Sequence, residues 1–140
     1  MTRTSIELSV SAQEAWTKLQ HPETWEGVAG IENLTDAQHD SAGNLTGFRF
    51  ATETALGRVD GRANVEPRPP GMTIRGAEKG LEITIEVVVA EQGEVSSATI
   101  DASARSTSFL TKPLAKTLNA LLDKGLDAEA AKVTERICLR

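Results

Sequence analysis

The sequence predicts an α+β domain in which a curved, seven-stranded antiparallel sheet wraps one long C-terminal helix, with two short helices following the first strand. Three observations carry this prediction. Alternating apolar and polar residues, broken at short intervals by turn signals, fill the chain from Ile31 to Arg105. An isolated alternating stretch, Arg3 to Val10, precedes two successive helix starts. A single long helical stripe runs from Leu114 to Ile137. With 140 residues, 39% of them apolar, and no linker, repeat or low-complexity tract, the chain reads as one domain over 1–140.

Taken in order, strand one sets Ile6, Leu8 and Val10 on one side against Ser5, Glu7 and Ser9 on the other. Ser11-Ala12-Gln13-Glu14 then forms a capping box, and Ala12, Ala15, Trp16 and Leu19 follow at helical spacing. Pro22 disfavours helix at His21 and opens a second short helix expected to carry Trp25, Val28 and Ala29 before Gly30 closes it. Six strands come next, separated by turns at Ser41 to Asn44, Gly57, Pro67 to Gly71, Gly80 and Gln92-Gly93. Phe48, Phe50, Thr52 and Thr54 share one face, as do Val59, Gly61, Ala63 and Val65. The clearest strand turns Leu81, Ile83, Ile85, Val87 and Val89 inward, and short links imply antiparallel order. The last strand offers only Ala98, Ile100, Ala102 and Ala104, a face small enough to call for something bulky above it. That object is the closing helix, capped by Thr111 with Pro113 in its first turn. Its stripe runs through Leu114, Leu118, Leu121, Leu122, Gly125, Val133 and Ile137, with Gly125 expected at a kink or a close approach to the sheet.

Composition removes several classes of function. Fifteen Lys+Arg against twenty Asp+Glu give a net charge of −5, and no basic tract exists, so nucleic acid is not an expected partner. No apolar run approaches the roughly 18 residues of a membrane span, and Met1 to Val10 lacks the apolar core of a secretion signal. Stable membrane insertion is therefore not expected, and a cytoplasmic location is. Cys138 is the only thiol, so neither a disulfide framework nor a thiolate zinc site can form. His21 and His39 match no metal-binding spacing, and no metal or other cofactor is expected. Gly71 to Gly76 has the glycine spacing of a phosphate loop, but Ala77 stands where its lysine must be. With no tyrosine in the chain, acid–base chemistry would fall to carboxylates, His21, His39, lysine or water.

The helix start Ser11 to Trp16, the turn His21-Pro22-Glu23-Thr24-Trp25, Gly30-Ile31-Glu32, Pro70-Gly71-Met72 and the leucine-rich closing helix together resemble the START-like (SRPBCC) superfamily over nearly the whole chain. Polyketide cyclases and dehydratases, lipid-transfer domains and pollen allergens share that helix-grip fold. The His21-Pro22-Glu23 turn and the spacing of Gly71, Gly76 and Gly80 also look like the branch containing an accessory protein of carbon monoxide dehydrogenase, which implies an accessory role through an external surface and a protein partner.

The resemblance implies a cavity between sheet and closing helix that takes a small hydrophobic or aromatic molecule, polyketide- or lipid-like. The inward glycines and alanines and an aromatic content of 4% leave volume for one. The candidate ligand-binding residues are Trp25, Phe48, Phe50, Thr52, Ile74, Ile83, Ile85, Val87, Leu114, Leu118 and Leu121. In the proteins it resembles, the position of Trp25 borders the cavity mouth; in this chain the alternation puts Thr52 and Thr54 on the inward face of their strand as its obvious polar side chains. No inward carboxylate is evident, since Arg58, Asp60, Arg62, Glu66, Glu82 and Glu86 share the outward parity. Non-enzymatic binding is accordingly the expected function, a cyclase or dehydratase using the same cavity is the alternative, and no catalytic residue is assigned.

Overall fold

The computed structural model describes residues 2–28, 31–54, 57–68, 70–78, 80–109 and 112–138; of residues 52–54, 57, 59, 78, 114 and 121 only the backbone is described. Strand β1 (Thr2–Leu8) leads into helices α1 (Ala12–Leu19) and α2 (Pro22–Trp25). Strands β2 (Glu32–His39), β3 (Leu45–Thr54), β4 (Gly57–Arg68), β5 (Gly71–Glu78), β6 (Leu81–Gln92) and β7 (Val95–Ser106) follow, and helix α3 (Lys112–Cys138) closes the order. The seven strands form one antiparallel sheet in the order β1-β7-β6-β5-β4-β3-β2, so the first strand returns to pair with the last. This is the architecture the hydrophobic periodicity predicts.

Local chemistry explains the element ends. The Ser11 hydroxyl accepts from the Glu14 amide at 3.2 Å, the expected cap of α1. The turn before β3 is held by Asp40, whose Oδ1 accepts from the amides of Ala42 and Asn44, both at 2.9 Å. The β6–β7 hairpin turns at Gly93, whose φ of +73° suits a residue without a side chain. Gly30 and Thr111, expected to close α2 and to cap α3, lie outside the described residues.

Four details differ from expectation. Helix α2 ends at Trp25, one turn sooner than its apolar pattern implies, because Val28 and Ile31 pair in a β-bridge. Trp16 is only half-buried and donates its indole N–H to Asn44 Oδ1 at 3.2 Å. Asp101, of outward parity, is nonetheless buried, because Arg3 on the neighbouring strand covers it in a 2.7 Å ion pair. Among the residues whose side chains are described, the buried stripe of α3 is Ala115, Leu122, Leu126, Ala130, Val133 and Ile137, which keeps the expected Leu122, Val133 and Ile137 but passes beside Gly125. A methyl at Gly125 would meet nothing within 4 Å, so no close approach to the sheet requires that glycine.

Candidate functional site

The register of the ladders resolves the concave face into cross-strand rows. Phe48, Ala63, Gly76, Ile83 and Ala104 form one row across β3, β4, β5, β6 and β7. Val65, Ile74, Ile85, Ala102 and Thr2 form the next, and Met72, Val87, Ile100 and Thr4 the one beyond. The first row is lined by the smallest side chains. Phe50, on the same face as Phe48 and edge-on to it at 6.3 Å, leans over Gly76, where a methyl would come within 3.1 Å of its ring.

Helix α3 lies over β1 and β7, and its two halves are fastened differently. In the C-terminal half, Leu126, Ala130, Val133 and Ile137 are buried, and two cations tie the helix to the carbonyls that α2 and the following turn leave without helical partners. Arg136 donates to the carbonyls of Glu23 (3.3 Å), Thr24 (3.1 Å) and Glu26, and Lys132 donates to that of Gly27 (3.3 Å). The space left here is about 10 Å³, lined by Trp25, Val28, Ile85, Ile100, Ala102, Leu126, Glu129, Ala130 and Val133. It is no larger than one water needs, and its mainly apolar lining offers few partners to hold one. Trp25, fully buried, donates its indole N–H to Leu19 O at 2.8 Å and closes this end from behind.

The N-terminal half is held by Asn119 and by Asp123, whose carboxylate accepts from the Thr2 hydroxyl on β1. Among the described residues β1 pairs with β7 as far as Ala102, and Ala104 lies beyond that pairing. Asn119 meets it there: its Oδ1 accepts from the Ala104 amide at 2.9 Å and its Nδ2 donates to the Ala104 carbonyl at 2.8 Å, as a strand residue would. Around this clamp the core is buried but lies nearer the surface. Ile83, Ala104 and Leu122 keep 6%, 9% and 9% of their surface, against 2% for Ile85 and 1% for Val133 at the other end. Leu118 is apolar, half-buried and packed against the core.

Of the residues singled out from sequence, Phe48, Phe50 and Ile83 therefore lie on the small-residue part of the wall. Ile74 and Ile85 are one row further in, and Val87 is deeper still. Trp25 and Ile85 meet at the closed end. The side chains of Thr52, Leu114 and Leu121 lie outside the described part of the structure. Asn119 is a structural contact that the apolar pattern passes over. The signal for it is a polar residue falling, at spacings of four and three, between the buried Ala115 and Leu122.

The buried polar side chains among the described residues all have structural bonds. Gln20 accepts from the Leu45 amide (2.9 Å) and donates to Trp16 O (3.2 Å), Thr24 donates to Lys18 O (2.7 Å), and Ser96 donates to Val10 O (2.9 Å). Perturbed ionisation occurs on the convex face, where hydrogen bonds from Arg68 and then Arg75 hold the Glu66 carboxyl below the usual range. Among the described residues no group of His, Cys, Asp and Glu could hold a metal ion, and no helix is long and apolar enough to cross a membrane.

No family model and no curated protein matches the sequence. Solved structures do match. A START superfamily protein from Mycobacterium smegmatis is similar at TM-score 0.71 and 13% identity, covering 97% of this chain and 95% of that one. The Zhui aromatase/cyclase from Streptomyces sp. R1128 is similar at TM-score 0.61 and 10% identity, covering 98% and 90%. The di-domain ARO/CYC StfQ from the steffimycin biosynthetic pathway is similar at TM-score 0.68 and 15% identity, covering 98% of this chain and 48% of that longer one. The chain thus has the START-like helix-grip fold.

Proposed function

We propose that this protein binds a small apolar or aromatic molecule, polyketide- or lipid-like, between the concave sheet and the N-terminal half of α3. The observation that carries the reading is the gradient along the interior. The end beneath Leu126 and Val133 has room for one water, whereas at the other end Ala63, Gly76 and Ala104 give the sheet its least side-chain volume, beside the half of the helix held at Asn119 and Asp123. A guest there would gain about 25 cal/mol per Å² of apolar surface removed from water, enough for affinity without an ionic contact. The likeness in fold to START and aromatase/cyclase proteins supports a ligand-binding role. Binding is favoured over cyclisation because the buried polar side chains described are all engaged in holding the fold.

The test is a titration of the labelled chain with polycyclic aromatics, fatty acids and sterols, followed by NMR. Binders are expected to shift Phe50, Ile83, Ala104 and Leu118 together, and Ala104→Leu, which fills the wall, is expected to weaken them at least tenfold while the protein stays folded. Shifts confined to the outward row from Arg58 to Glu66, or binding indifferent to Ala104→Leu, would refute the internal site.

A further inference from the structure

The two edges of the sheet are built differently. At β2 the pairing with β3 breaks register three times, and Asn33 and Asp36 take positive φ of 50° and 51°. Irregularities of this kind discourage further strands from adding to an edge. At β1 there are none: Thr2 to Leu8 pair one for one with Ala102 to Ser96, which leaves a regular row of peptide groups on the outer side, where no strand of the sheet follows.

Along that outer side runs a surface groove of about 490 Å³, floored by residues 4–7 of β1 and walled by α3 at Asp127, Ala131 and Glu135. A strand added to β1 would lie about 4.8 Å from it, within this groove, and Ala131 keeps the wall low. The charge of the lining is one-sided. Glu7, Asp127 and Glu135 contribute carboxylates, and no lysine or arginine lines it. The nearby cations of the helix are turned away, Lys132 to Glu129 and Gly27, Arg136 to the carbonyls around α2. Among the described residues neither Glu7 nor Glu135 belongs to an ion pair.

We propose that this groove docks an extended basic segment of another protein, which adds to β1 as a further strand and sets lysine or arginine side chains, at alternate positions, against Asp127 and Glu135. Main-chain bonds to β1 supply the attachment and the acidic wall supplies the selection. A second copy of this chain fits less well. Antiparallel pairing of two β1 strands about Ser5 would match Arg3 with Glu7, but it would also bring the acidic faces of two α3 helices together.

The experiment uses the full labelled chain and three capped seven-residue peptides: alternating lysine and valine, alternating glutamate and valine, and the lysine–valine peptide N-methylated along its pairing edge. The lysine–valine peptide is expected to shift the amides of residues 4–7 and those of Asp127, Ala131 and Glu135. The glutamate–valine and N-methylated peptides are expected to fail, and Asp127→Asn with Glu135→Gln to weaken binding about tenfold. Equal binding of the acidic peptide, shifts located in the interior at Phe50 and Ile83, or a dimer formed without peptide that protects the β1 amides from exchange would each overturn the assignment.

Discussion

Gly76 and Trp25 show how much of the interior is decided by single side chains. At Gly76 an added methyl would sit 3.1 Å from the Phe50 ring, and the ring has Phe48 beside it. Gly76→Ala is expected to destabilise the protein by about 1–3 kcal/mol, read from the midpoint of urea unfolding. Trp25→Phe removes the donor that satisfies Leu19 O at 2.8 Å and should cost about 2 kcal/mol, with a parallel loss in thermal midpoint. The parity of the strands is legible from sequence at this scale: Phe48, Phe50, Ile74, Ile83, Ile85 and Val87 are all buried as their alternation requires. What the indoles bond is not legible, because Trp16 reaches Asn44 and Trp25 reaches Leu19 O through the fold of the turns between them. Asp101 departs from its parity for a related reason, since its burial depends on Arg3 arriving from a strand far away in sequence.

Helix α3 is legible in existence and length, and in phase at Leu122, Val133 and Ile137, which are buried as the stripe requires. A stripe drawn through the leucines takes in Gly125 and passes over Leu126 and Ala130. The helix seats Leu126 and Ala130 along with the expected Leu122, Val133 and Ile137. Gly125→Ala should therefore stabilise the protein by about 1 kcal/mol, since the methyl meets open space and the helix interior favours alanine. Asn119→Ala, which leaves the Ala104 amide and carbonyl without their partner, should cost about 1–2 kcal/mol and speed hydrogen exchange at Ala104. If exchange at Ala104 were unchanged, the clamp would not be holding the N-terminal half of the helix.

For the molecule as a whole, the convex face carries the pH dependence that can be assigned. Glu66 titrates below its ordinary value of 4.5 in the folded chain because it accepts from Arg68 and Arg75. The stability it contributes is present above that ordinary value and is lost as pH falls through the lower folded one. Glu66→Gln should remove this part of the acid sensitivity, seen as a shallower fall in unfolding midpoint below about pH 4.5, and should leave the neutral-pH fold unchanged. The long-range closure of the sheet has a kinetic consequence. β1 finds its partner some hundred residues later, and Arg136 secures the turn after α2 across a separation of 110 residues. The N-terminal segment must therefore wait, unsatisfied, while the intervening hairpins assemble by neighbour contacts. The chain should fold slowly for its size, in an order that begins with β5–β6–β7 and ends with the two extremities meeting.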